Sequence, residues 1–157
     1  MLSHGQRISI QDVDAGAYRA VLGMEQYARG GDSDSGGLEP ALLDLVKIRA
    51  SQINGCAFCL DMHHRDAREH GENQRRLDVL SGWHEVPSLY SDREQAALAL
   101  TEAVTRIADA GVPDEIWDEA AKLFSDAEIV RLLMAIAVIN VWNRLAVSTH
   151  QQPPDTD

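Results

Sequence analysis

A chain of 157 residues, 45% of them hydrophobic, suffices for one ordinary domain that can bury a core without disulfide staples. Its 14 Lys and Arg against 25 Asp and Glu leave a net charge of -11, which repels phosphate backbones and anionic headgroups, so neither nucleic acid nor a membrane surface is an expected partner. The start, MLSHGQRISI, lacks a long apolar stretch behind a basic segment, and the most apolar run, LLMAIAVI at 132–139, is shorter than a bilayer span; the sequence reads as that of a soluble cytoplasmic protein.

Helical periodicity dominates, and no segment alternates apolar and polar residues between turn signals as a half-buried strand would. The expected fold is all-α. A first helix is predicted from about Asp12 to Ala28, stopped by Gly30-Gly31, after which DSDSGG is expected to form the longest non-helical segment. A second opens with Pro40 in its first turn, carries Leu42, Leu45, Val46 and Ile53, and stops at Asn54-Gly55. The third is expected to start near Cys56 and run to Gly71, followed by a short piece, Asn73 to Leu80, and a loop around Trp83 and Pro87.

Ser91-Asp-Arg-Glu94 is a capping box for a helix with an apolar stripe of Ala97, Leu100, Val104 and Ile107, ended by Gly111. Pro113 starts a shorter helix to about Phe124. Ser125-Asp-Ala-Glu128 is a second capping box, and its helix is apolar almost all round from Leu132 to Trp142, so it should be central in the bundle or covered by another subunit. Without repeats or linkers, the expectation is one domain over residues 1–150 and a flexible tail, QQPPDTD, over 151–157.

The chemistry-bearing stretch is ASQINGCAFCLDMHHRDA, residues 50–67, which holds both cysteines of the chain. On a helix, Cys56, Cys59 and His63 are three and then four residues apart and share one face. Thiols in a first helical turn meet unpaired N–H groups and the positive end of the helix dipole, which favour thiolate, and His63 can stabilise charge or pass protons. A disulfide between them closes almost no loop, so pairing would serve chemistry more than stability. Three readings stand on these residues alone: a redox dithiol, small buried core cysteines beside a satisfied histidine, or a zinc site using His63 with His64 or His70. The usual second ligand pair for zinc is missing, and the segment before Cys56 reads as helix, unlike the strand that precedes a thioredoxin-type C-x-x-C.

LLDLVKIRASQINGCAFCLDMHHRDA closely resembles the core signature of the alkylhydroperoxidase D-like, or carboxymuconolactone decarboxylase-like, superfamily, in which C-x-x-C-x-x-x-H opens a helix. GWHEVPSLYSDREQAALALTEAVTRI and INVWNRLAVS extend the resemblance over about residues 38 to 148. It implies a single-domain bundle of about six to seven helices. It also implies a peroxidase in which Cys59 attacks the peroxide, Cys56 resolves it, and His63 relays protons with an upstream acid. Helix-dipole reasoning alone favours Cys56 as the more acidic thiol.

The family's relay glutamate falls on Asp44, one methylene shorter, and a histidine carried before the peroxidatic cysteine falls on Phe58. Glu102, an acid in an apolar helical stripe, is the candidate substitute, because such a carboxylate needs a partner. The alternative to a relay role for Asp44 is a surface ion pair with Lys47, three residues on. Asn140, Asn143 and Arg144 are read as structural and Trp142 as packing. The resemblance further implies an organic hydroperoxide substrate, no bound cofactor, an external dithiol or lipoylated-protein reductant of dihydrolipoamide type, and a homo-oligomer, trimer or hexamer. The competing functions are a non-catalytic redox sensor or general disulfide reductase on the same dithiol, and ring-lactone decarboxylation.

Overall fold

A computed structural model describes residues 5–155. Nine α-helices occur among the described residues: α1 Ile10–Val13, α2 Ala15–Arg29, α3 Pro40–Asn54, α4 Ala57–Glu69, α5 Gln74–Asp78, α6 Asp92–Thr105, α7 Ile107–Ala110, α8 Asp114–Leu123 and α9 Asp126–Thr149. The described residues include no strand, so the fold is all-α. The two four-residue helices arise by breakage of longer predicted ones. Asp14 leaves helical geometry and its carboxylate accepts from the N–H groups of Gly16 and Ala17, so the expected first helix is split into α1 and α2. Arg106 likewise separates α7 from α6.

Two expected loops carry short 3₁₀ turns instead, at Ser33–Ser35 within DSDSGG and at Leu80–Glu85 and Pro87–Leu89 around Trp83. Both capping boxes form as the sequence specifies. The Ser91 and Ser125 hydroxyls accept from the Glu94 and Glu128 N–H groups, and each glutamate returns to its serine's N–H.

Helix α9 is central, packing against α2, α3, α4, α6 and α8. It is longer than its apolar run suggested and passes for a membrane-spanning helix by length and composition, yet half of its most apolar window is buried against the other helices. Leu42 and Val46 of α3 join Leu100, Leu132 and Ile136 in the main core, while Leu45 and Ile48 face a second cluster with Leu77, Leu80, Trp83 and Leu98. Burial of each such side chain contributes about 1.5–3 kcal/mol. Clamped on both sides, α3 holds its C-terminus in a fixed place, and the cysteines begin two residues beyond it, after Gly55. In the tail, the Gln151 N–H donates to the Ala146 carbonyl at 2.9 Å; residues 1–4 and 156–157 lie outside the described residues.

Candidate active site

Helix α3 ends in a tight reversal that sets up the dithiol. Gly55 adopts φ 65°, where a side chain is disfavoured, and the N–H groups of Gly55 and Cys56 donate to the carbonyls of Gln52 and Ser51. Asn54 donates to the side chains of Asn140 and Asn143 at 2.9 Å each, and Asn143 donates to Ser51 Oγ at 3.0 Å. This amide network ties the end of α3 to α9, the structural role expected of Asn140 and Asn143; Arg144 caps it from outside by donating to Asn140.

Cys56 therefore does not lie in the first turn of α4, as the spacing predicts, but immediately before it. Its φ/ψ of -87°/96° is extended, and its sulfur accepts the Cys59 N–H at 3.3 Å. The reason is Gly55, whose reversal costs the chain one residue before it can turn helical again. Cys56 and Cys59, with Cα atoms 5.3 Å apart, are joined as a disulfide, and both are buried against Ala146 and Phe58.

The two sulfurs open onto different spaces. Cys59 lines a cavity of about 300 Å³ with His63; Leu22, Phe58, Met62, Trp142 and Tyr18 form much of its wall, and Gln11 and Gln151 add polar groups. Tyr18 and Trp142 pack with ring centroids 5.4 Å apart, so Trp142 is a wall of the cavity as well as a packing residue. Cys56 lines a smaller space of about 200 Å³ with Gly55, Val147, His150 and Gln152. Phe58, at the position where the resemblance implies a histidine, borders both.

His63 is 2% exposed, and neither ring nitrogen has a protein hydrogen-bond partner. Asp66 Oδ2 is 3.6 Å from Nδ1, beyond hydrogen-bond reach. Burial, helped by the charge of Lys47, lowers the His63 pKa to about 4. With the disulfide closed, His63 is thus a neutral base at neutral pH and supplies no positive charge.

An acid does enter the cavity, from the predicted first helix but at a residue the sequence does not single out. Glu25 of α2 lines it beside Cys59 and is 6% exposed. Its Oε1 accepts from Lys47 Nζ and from Arg29 Nε, each at 2.6 Å, while Oε2 is buried with no protein partner. Burial pushes the Glu25 carboxyl up, but the two cations outweigh it and leave it below its ordinary value. Burial in turn pulls the Lys47 ammonium down, against the pull of Glu25.

Lys47 is therefore bound to Glu25 and not hydrogen-bonded to Asp44. Asp44 instead has its Oδ2 2.6 Å from His70 Nδ1 and borders a separate surface cavity with Arg29, Lys47 and Asp66. Burial raises the Asp44 pKa despite His70, and Asp44 raises that of His70. Glu102 also finds partners, away from the dithiol: Oε1 accepts from Arg49 Nε at 2.8 Å and from Trp83 Nε1 at 2.9 Å, and Oε2 lies 2.9 Å from His84 Nε2. It borders a different cavity, with Arg106 and Ile116. Of the five candidate residues, the structure brings together Cys56, Cys59 and His63. Among the described residues, no group of three or more His, Cys, Asp and Glu side chains is arranged to hold a metal.

Comparison with known proteins gives consistent relationships. The model of the carboxymuconolactone decarboxylase family matches residues 16–103. An uncharacterized Bacillus subtilis protein, YdfG, is 36% identical over 143 residues, covering 91% of this chain and 93% of that one. A crystal structure from Agrobacterium tumefaciens, of a protein of unknown function advanced as a candidate antioxidant defence protein AhpD, superposes with a TM-score of 0.89 at 40% identity, over 97% of this chain and all of that one. The alkylhydroperoxidase AhpD core of an uncharacterized peroxidase-related protein from Ralstonia eutropha shares the fold, with a TM-score of 0.75 at 19% identity over 92% of this chain and 74% of that one.

Proposed function

The chain belongs to the carboxymuconolactone decarboxylase family, and from that premise we propose that it is a thiol-dependent peroxidase acting on organic hydroperoxides. One observation carries the reading: Cys59 opens with His63 onto a largely apolar cavity while Cys56 is held within bonding reach behind it. A redox pair so placed weighs against lactone decarboxylation, which needs no dithiol.

In the reduced protein His63, one turn beyond Cys59 on α4, takes the Cys59 thiol proton. The thiolate attacks the terminal oxygen of the hydroperoxide; the S–O bond forms as the O–O bond breaks, and the departing alkoxide takes the proton back from His63. Cys59 is left as a sulfenic acid. The Cys56 thiol condenses with it, releasing water and giving the disulfide, which shields Cys59 from further oxidation. An external dithiol, of dihydrolipoamide type by family resemblance, donates two electrons and two protons to reopen the pair.

The test treats wild type, Cys56→Ser and Cys59→Ser with one equivalent of an alkyl hydroperoxide and maps the products by mass spectrometry. The expected products are a disulfide in wild type, sulfenic acid on Cys59 in Cys56→Ser, and an unreacted Cys56 in Cys59→Ser. Sulfenic acid on Cys56 with none on Cys59 reverses the assignment. A lactone decarboxylase would keep its activity without either thiol, and a sensor would oxidise once without turnover by added dithiol.

A further inference from the structure

Glu25 and His63, which line the Cys59 cavity, carry three buried polar atoms without a protein partner, Glu25 Oε2 and both ring nitrogens of His63, of which Nδ1 lies on the side of Asp66. Burying a polar atom without a hydrogen bond costs about 1–3 kcal/mol, and more for a charged group, so Glu25 Oε2 together with an unpartnered His63 ring on one cavity wall points to a bound group. What that group must be follows from the atoms themselves. Glu25 is anchored through Oε1 by Lys47 and Arg29, which leaves Oε2 fixed in place and able only to accept. The ligand atom facing it must carry a hydrogen. A neutral imidazole offers one donor and one acceptor, so the atom facing the His63 donor must have a free lone pair.

A hydroperoxide meets both demands with adjacent atoms, since its terminal oxygen carries the hydrogen and its inner oxygen has lone pairs. Of the remaining lining, Gln11, Gln151, Arg29 and the Tyr18 hydroxyl are polar, while Leu22, Phe58, Met62 and Trp142 suit an aryl or branched alkyl body. We propose that Glu25 Oε2 and the His63 ring form the head-group subsite for an apolar organic hydroperoxide, with Glu25 orienting the terminal O–H so that the O–O bond points away from the Cys59 sulfur. Glu25 then acts as the acid of the relay from α2, in place of Asp44, and the cavity prefers a bulky hydroperoxide over hydrogen peroxide, which leaves the apolar walls unused. This rests on the peroxidase reading above.

The experiment uses the full chain with Cys56→Ser, so that oxidation stops at Cys59. Two rates are measured, with and without Glu25→Gln: sulfenic acid formation by cumene hydroperoxide, and thiol exchange with dipyridyl disulfide, which has no O–H to present. The ratio of the first rate to the second should fall roughly 10- to 100-fold in the Glu25→Gln protein, the loss expected for one charge-assisted hydrogen bond. An unchanged ratio, whether both rates hold or fall together, overturns the proposal and assigns Glu25 to clamping Lys47. Should Glu25→Gln not fold, adding Lys47→Met removes the stranded cation, and the same ratio is read on the double substitution. Failure of the peroxidase reading is distinct, because the protein retaining Glu25 would then form no sulfenic acid with the hydroperoxide.

Discussion

Two charge clusters flank α3, built from the same parts. On one side Lys47 holds Glu25 of α2 near His63; on the other, Arg49 holds Glu102 of α6 near His84. Around Glu102 both oxygens are engaged, Trp83 adds a donor, and His84 stacks on the Trp83 ring with centroids 3.7 Å apart. Around Glu25 one oxygen and both histidine nitrogens are left over. Charge pairing is common to both, but His63 is buried where His84 is exposed, and only the Glu25 side leaves buried hydrogen-bonding positions unspent. A cluster that satisfies itself is architecture, while one that stops short has capacity to act on something else.

That contrast can be broken in several ways. Lys47→Met strands the buried Glu25 carboxylate and should cost about 3–5 kcal/mol in urea unfolding, most of it recovered by adding Glu25→Gln. A small loss would mean that Arg29 alone carries the carboxylate. Next comes the pH dependence set by His63. Its folded pKa is lowered from 6.5 to about 4, so between those values the unfolded chain binds a proton that the folded one refuses. Stability should therefore fall by about 3 kcal/mol as pH drops through that window, and His63→Phe should remove that slope.

Glu102→Gln should cost about 1.5–3 kcal/mol by weakening its hold on Arg49, yet leave Cys59 oxidation in the Cys56→Ser protein within about twofold. A tenfold fall in that rate would restore Glu102 to the chemistry. The smallest effect has the opposite pH sign. Asp44 raises the pKa of the exposed His70, so their pairing stabilises the fold below the unfolded histidine pKa and fades as pH rises through the folded one. His70→Ala should thus destabilise more at pH 5 than at pH 8, by an amount small for a solvent-screened pair.

The fold was legible wherever its cause was local. Pro40, Gly55 and the two capping boxes act within a few residues and each appears where the sequence puts it. The dithiol and His63 were legible for the same reason, lying within eight consecutive residues. The break at Asp14 was hidden even though Val13 and Gly16 beside it are weak helix formers, because an aspartate becomes a cap only when its carboxylate accepts from Gly16 and Ala17. The partners of buried charges were hidden more deeply. The rule that an acid in an apolar stripe needs a partner picked out Glu102 correctly as paired, but periodicity does not say with what. Glu25, with Val21, Leu22 and Ala28 one turn to either side, carried the same signal on α2, and only the packing of α2 brings it to Cys59.

The position of Cys56 at the start of α4 bears on how its chemistry can be read at all. Its sulfur does the work of a cap, receiving the N–H of Cys59. An alanine there would remove the resolving thiol and also release that N–H, at a cost of about 0.5–2 kcal/mol by analogy with other caps, loosening the turn that carries the attacking sulfur. Serine, whose hydroxyl is among the preferred groups for that station, takes away the redox partner and keeps the helix closed. Only the serine variant separates the loss of a reaction step from the fraying of the segment on which the reaction takes place.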